Sequence, residues 1–351
     1  MTDFFSAPIL VTAIGLFGGI SLGLAARLGQ FCTLGAIEDY FYSSSDLRLR
    51  MWGIAIGVAI IGSFGLVQFG ALNLASTPYL NQHWYPMQSI AGGLLFGYGM
   101  AISGNCGFGA LARLGGGDLR AFVIVVVMGI CAYATISGPL AYGRVWLFPP
   151  QQSSPALPGI ANDLSALTGI STAAVGITIG LLLLIIAIYP SHVRQSRKTL
   201  IWGVIVGLAI VSGWWGTQWV STDSFDAVPV TTHTFSGPIG ESILYIMTAS
   251  GSELSFGIGS VAGIWIGAFI GSLIKGHFRW EACEDPRELR RQIIGAGLMG
   301  VGAVTAVGCS IGQGLSAISV LSYSGPVTLI AIIAGAALGL RQIMVGFANP
   351  I

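Results

Sequence analysis

Charge is what this sequence has least of. Lys, Arg, Asp and Glu make up 8% of its 351 residues, against roughly 25% in an ordinary soluble domain. Hydrophobic residues make up 54%, more than a soluble globule of this length has any use for, so the chain reads as a polytopic membrane protein. The five cysteines, Cys32, Cys106, Cys131, Cys283 and Cys309, form no CxxC pair and no zinc-like spacing, which argues against an oxidisable dithiol and a metal cluster. No catalytic triad, P-loop or nucleic-acid-binding patch is present, so the expectation is no enzyme activity, no ATP hydrolysis, no cofactor, no metal and no nucleic-acid partner. Met1-Thr2-Asp3 lacks the basic start of a cleavable signal peptide, so the first apolar run is read as a retained span.

Glycine, by contrast, is abundant. The 52 glycines follow no three-residue period and lie inside apolar runs, where they let helix backbones approach in lipid. Their spacing repeats. Gly92, Gly97, Gly99, Cys106 and Gly109 recur 203 residues later as Gly295, Gly300, Gly302, Cys309 and Gly312. The same pattern stands 74 residues earlier as Gly18, Gly23, Cys32 and Gly35, matching Gly92, Gly97, Cys106 and Gly109. A fainter fourth copy, Gly203, Gly207 and Gly213, carries Gly216 at the cysteine position. One unit is therefore used several times, each copy a hydrophobic helix broken near a cysteine.

A bilayer-crossing helix needs about 20 apolar residues. Runs of that kind predict nine spans, near 8–27, 51–72, 87–105, 121–141, 172–190, 200–220, 254–274, 292–309 and 325–341. The connections after 27, 105 and 309 are glycine-rich and apolar, so they are expected to dip into the bundle as short half-helices, which is tolerated only where protein or a cavity receives them. Segment 144–171 reads as an external loop, and 221–253 as long enough for a short external helix. With the N-terminus outside, every Lys and Arg except Arg144 falls on the cytoplasmic side, the bias that sets orientation. The N-terminus is then periplasmic and the C-terminus cytoplasmic. On that topology the 203-residue offset relates antiparallel copies, making residues 1–143 and 200–351 inverted halves joined by a connector, 144–199, that holds the fifth span. The fold class is an all-α transporter domain with broken helices meeting near the midplane, where a substrate site is expected.

A half-helix N-terminus attracts anions through its partial positive charge and free N–H groups. No Lys or Arg lies mid-span to hold an anion tightly, and an ion that must leave cannot be held too firmly. A thiol buried away from cations stays neutral, a weak donor and a soft contact that suits sulfur better than hard oxygen. The candidate binding residues are Cys32, Cys106 and Cys309, with Gly104, Asn105, Gly107, Gly308 and Ser310 beside them. Cys131, in no repeat position, is read as packing, and Cys283 as having no role.

The motifs LGQFCTLGAI, SGNCGFGALARLG and VGCSIGQG resemble those of the YeeE/YedE family of sulfur-compound transporters, over nearly the whole chain. The resemblance implies an hourglass-like bundle with half-helices at its waist. It implies a bacterial inner-membrane importer of thiosulfate, in which Cys32, Cys106 and Cys309 pass the anion along by S–H···S contacts. It further implies a cytoplasmic TusA-like sulfur-carrier protein as a companion. The longer segments 144–171 and 221–253 depart from the family's simple pattern. A membrane thiol-redox enzyme, a sensor subunit, or a carrier of another sulfur or selenium species remain the alternatives from sequence.

Overall fold

A computed structural model describes residues 6–149, 159–224, 227–282 and 285–345. All regular elements there are helices. The first half holds α1 (Ala7–Leu24), α2 (Thr33–Tyr42), α3 (Leu47–Gln68), α4 (Pro78–Asn81), α5 (Pro86–Ser103), α6 (Gly107–Gly115) and α7 (Leu119–Ile136). Then follow α8 (Pro139–Leu147), α9 (Ile160–Thr168), α10 (Thr172–Ile188) and α11 (Ser191–Gln195). The last part holds α12 (Arg197–Asp223), α13 (Ser236–Thr248), α14 (Phe256–Ile274), α15 (Pro286–Thr305) and α16 (Ser324–Val345). Two π-helical turns, Ala25–Gly29 and Gly312–Ala317, lie at breaks. Met1-Thr2-Asp3, Cys283 and part of the 144–171 segment, including Pro150 and Pro155, lie outside the described residues.

Helix starts follow local chemistry. Pro8, Pro78, Pro86, Pro139 and Pro286 open helices, where a missing N–H costs nothing. Asp118, Ser171, Ser196 and Ser255 cap theirs with side-chain oxygens. Among the described residues, seven stretches are long and apolar enough to cross a bilayer, or eight if α9 and α10 count as one bent span. The expected nine are not confirmed by that measure, for two local reasons. α10 has 17 residues and meets α9 at 115°. α15 begins with Arg287, Glu288, Arg290 and Arg291, so its apolar stretch starts only near Ile293.

Two other segments differ in kind from their sequence reading. The helix expected outside, within 221–253, is α13, whose Ser236, Ile239 and Gly240 are buried and which packs on α7 and α14. It enters the bundle as α2 and α6 do. The 144–171 segment holds α9, packed on α10.

Helix pairs across the bundle come in matched sets. α1 packs on α14 as α12 packs on α3, and α5 packs on α16 as α15 packs on α7. α1 with α12, and α5 with α15, pack on each other. The α5–α15 crossing is reciprocal to the residue. A Cβ on Gly99 would lie 2.6 Å from the Gly295 carbonyl oxygen, and one on Gly295 would lie 2.6 Å from that of Gly99. Gly92 and Gly302 face each other in the same way at 2.8 Å. Since Gly295 and Gly302 are the repeat partners of Gly92 and Gly99, each copy touches the other's counterpart, as two units about a twofold axis do.

The main core cluster contains Phe31, Trp52, Phe64, Phe96, Cys106, Phe108, Trp214, Phe235 and Cys309, with smaller clusters around Phe256 and around Ile54. Outward, Phe17, Phe69, Leu182, Ile185, Ile186 and Ile330 are exposed, an apolar surface that suits lipid.

Candidate functional site

Each of the three repeat cysteines sits at a helix break built the same way. Gln30, Gly104 and Val307 have φ of 60°, 76° and 58°, and each lies two residues before its cysteine. A left-handed residue there ends the incoming helix. Glycine adopts it freely at 104, whereas Val307 is forced into it against its β-branch. The chain then straightens at Cys32 and Cys106, which become the N-caps of α2 and α6. The Gly35 amide donates to Cys32 Sγ at 3.5 Å, and the Gly109 amide donates to Cys106 Sγ at 3.3 Å. Cys309 has no such bond. Its sulfur instead meets the Thr234 hydroxyl, 3.9 Å from Sγ. The incoming end of α15 is closed by Gln313, whose side-chain N–H donates to the Ala306 and Val307 carbonyls at 2.9 and 3.0 Å.

The fourth break is not where the glycine register put it. Gly216 lies inside the continuous α12 and packs on Ile14. The break falls instead at Thr231-Thr232-His233-Thr234-Phe235, just ahead of α13. Thr217 Oγ1 donates to the Thr231 carbonyl and accepts from its amide, Thr232 Oγ1 donates to Ile210, and Ser316 Oγ donates to the His233 carbonyl. These bonds fix Thr234 beside Cys309. The signal was present as a run of hydroxyl residues inside apolar sequence, but it carries no cysteine.

The breaks converge. Cys106 is 1% exposed and Cys309 2% exposed, while Cys32 is half-buried. Cys32, Cys309 and the Ser310 hydroxyl are all neighbours of the Cys106 thiol, Ser310 within hydrogen-bonding reach of it. Around them runs a row of buried rings, Trp52 on Phe31 (4.7 Å between centroids), Phe31 on Phe108 (6.3 Å) and Phe108 on Phe235 (5.6 Å). Phe31 precedes Cys32, Phe108 follows Cys106, and Phe235 follows Thr234, so three of the four breaks supply one ring each. The waist is thus lined by tightly packed rings.

Cavities lie on both sides of it. One of about 320 Å³ reaches Cys32, Gly104 and Asn105. Its wall carries Arg27, Arg48, Arg113 and Lys275 against the single carboxylate Glu38. Arg48 pairs with Asp39 at 3.1 Å, and Lys275 donates to the Arg27 carbonyl at 2.6 Å. Sequence order hid this basic mouth, because its cations come from four separate segments. On the other side, cavities of about 1090 and 680 Å³ meet at Thr234 and Pro238. The smaller of these reaches Ser236 and Gly308. Gly107 faces neither side; a Cβ there would lie 2.6 Å from Met128 Sδ, so this glycine serves packing on α7. Cys131 lies at the α7–α15 contact, next to Gly297 and Gly300.

Residues 28–338 match the family model described as sulphur transport. The chain belongs to that family. Among its relatives is the thiosulfate transporter TsuA of Escherichia coli (strain K12), 24% identical over 92% of this chain and 91% of the relative. Another is the thiosulfate transporter TsuA of Spirochaeta thermophila, 26% identical over 88% of this chain and 92% of the relative. A shorter match, 28% identical over 28% of this chain, is to the probable transporter YedE of E. coli. The likeness to YeeE/YedE transporters read from the three cysteine motifs is borne out, and the sulphur transport family is one of carriers rather than enzymes. This member is a multi-span membrane protein whose cysteine-bearing breaks lie between cavities on opposite sides.

Proposed function

We propose that the chain imports thiosulfate, or a closely related small sulfur-containing anion, across a bacterial inner membrane by passing it along Cys309, Cys106 and Cys32. The observation that carries this reading is the recurrence of a thiol two residues past a left-handed residue at three breaks whose cysteines are neighbours. A neutral S–H can hand over a soft sulfur atom without holding it as a cation would. The names of the two full-length relatives support the substrate.

The direction follows the basic residues. With the N-terminus periplasmic and the C-terminus cytoplasmic, the mouth at Cys32 faces the cytoplasm, and its four cations draw the anion out of the waist. The reciprocal glycine contacts of α5 and α15 support reading 1–143 and 200–351 as inverted halves around the connector 144–199. The substrate site then comprises Cys32, Cys106 and Cys309 with the backbone at Gly104, Asn105, Gly308 and Ser310, while Gly107 stands behind it. A TusA-like sulfur carrier receiving the cargo at the cytoplasmic mouth completes this reading.

Uptake of radiolabelled thiosulfate into liposomes holding the purified protein tests it. Cys106→Ala abolishes uptake, because the narrowest point offers a desolvated ion no other partner. Cys32→Ala and Cys309→Ala weaken it, and Cys131→Ala and Cys283→Ala leave it unchanged. Full uptake by Cys106→Ala rejects the relay.

A further inference from the structure

We propose that the hydroxyls of Thr234 and Ser310, with the Tyr79 phenol beside Thr234, form the oxygen-binding half of the anion site at Cys309. The site then takes a two-ended anion, one soft sulfur with several hard oxygens, and fixes which end faces which donor. This rests on the transport reading above and narrows it to a substrate class.

Ser310 is fully buried, and its Oγ meets no nitrogen or oxygen partner among the described residues, only the weakly bonding Cys106 thiol. It follows Cys309 in the chain and lies beside the Cys106 thiol in space. A buried hydroxyl left without a strong partner is unfavourable and calls for a reason, and a passing ligand supplies one. Thr234 Oγ1 is 3.9 Å from Cys309 Sγ and is hydrogen-bonded with the Tyr79 phenol, so phenol, hydroxyl and thiol form one buried cluster. Gly312 lets the backbone after Cys309 come close to both hydroxyls: a Cβ there would lie 2.5 Å from Thr234 Oγ1 and 3.3 Å from Tyr79 Oη. Thr234 also lines both cavities on its side of the waist. Hydroxyl and thiol therefore alternate along the path, Thr234, Cys309, Ser310, Cys106. The bonds that lock 231–235 to α12 and to Ser316 preorganise this arrangement, which lowers the cost of binding.

The chemistry of the two donor types differs. Polarisable S–H groups match a terminal sulfur, whereas O–H groups match sulfonate-like oxygens. Neutral hydroxyls also let go more readily than a guanidinium would. Sulfate offers only oxygens and hydrosulfide only sulfur, so each engages half of the site.

The test uses the full chain, with thiosulfate binding by equilibrium dialysis and uptake by proteoliposomes. Thr234→Val and Ser310→Ala each raise the thiosulfate Kd and KM by roughly tenfold, the cost of losing a hydrogen bond to a charged group. Inhibition of uptake by hydrosulfide stays at the wild-type value in both, because its contacts are thiols. Thr234→Ser, which keeps the hydroxyl, keeps the wild-type KM. A purely structural role predicts the opposite pattern, less folded protein with unchanged Kd. A wild-type Kd in the Thr234→Val/Ser310→Ala double variant overturns the proposal, and so does a Thr234→Ser variant as weak as Thr234→Val. Failure of the relay is separate, since Cys106→Ala reports on passage and the dialysis constants report on the hydroxyls.

Discussion

The breaks of the first half and those of the second half place a cysteine identically yet use it differently. At Cys32 and Cys106 the sulfur caps a half-helix, accepting from the Gly35 and Gly109 amides. At Cys309 no amide reaches the sulfur, a π-turn follows, and the Gln313 amide closes the incoming helix instead. At the fourth break the thiol is gone and Thr234 stands near Cys309. Sulfur is a poor cap beside Ser, Thr, Asp or Asn. Were capping the reason for cysteine, the second half would have no use for Cys309. What the three share is position in the waist, so the thiol itself is what the breaks present.

The comparison can be broken most severely at the crossing of α5 and α15. Gly99→Val and Gly295→Val each force a side chain into the other helix's backbone, at a cost of about 3 kcal/mol by overpacking. Because the contact is reciprocal, the two variants lose the same amount. Thermal unfolding of the detergent-purified protein measures both, and clearly unequal losses would defeat the twofold relation.

A smaller effect separates the breaks by their left-handed residues. Gly104→Val puts a β-branched side chain at φ 76° and destabilises by about 1–2 kcal/mol. Val307→Gly removes that strain at φ 58° and stabilises by up to about 1 kcal/mol, some of it returned as unfolded-chain entropy. The shift in melting temperature of each variant gives the sign. Two shifts of the same sign would mean that positions 104 and 307 are not equivalent.

Capping gives a finer distinction. Cys106→Ser supplies a better N-cap for α6 and raises stability by about 1 kcal/mol, while thiosulfate uptake falls. Cys309→Ser leaves stability near the wild type, because no cap is involved, and uptake falls again. Stability and transport thus move in opposite directions in the first half only. Unfolding and uptake measured on the same preparations check it, and a stabilised Cys309→Ser would erase the contrast between the halves.

Much of this was legible in the sequence, and what was not has physical causes. Gly104 marks its break because glycine serves cheaply where the backbone must turn left-handed, and Gly35 leaves room for the Arg48 guanidinium. Gln30 and Val307 do the same work without a sign in the sequence, since their φ is imposed by the breaks around them. Helix α15 was predicted as a span from its apolar second half, although Arg287, Arg290 and Arg291 occupy its first turns. The fourth break was misplaced to Gly216 because a glycine register cannot tell a packing glycine from a turning one. Arg27, Arg48, Arg113 and Lys275 meet only after folding.

The smallest expected effect lies in the connector that joins the halves. Asp46, just before α3, accepts from Arg50 Nε and lies 2.8 Å from His192 Nε2 in α11. Burial works against its charged form, but the hydrogen bonds from Arg50 and His192 outweigh it and hold the carboxyl below its ordinary pKa. A depressed carboxyl stabilises the fold fully above the unfolded value, about 3.9. That contribution is lost as the pH falls through the folded one. The groups are partly exposed, so the contribution stays below about 1 kcal/mol. Asp46→Asn therefore melts slightly below the wild type near neutral pH, and the gap narrows as the buffer is taken below about pH 4. Reporting on a tie between α3 and the connector rather than on the waist, it leaves thiosulfate uptake at neutral pH unchanged. A gap that persists undiminished at low pH would show that the carboxylate's charge is not what binds the connector to the first half.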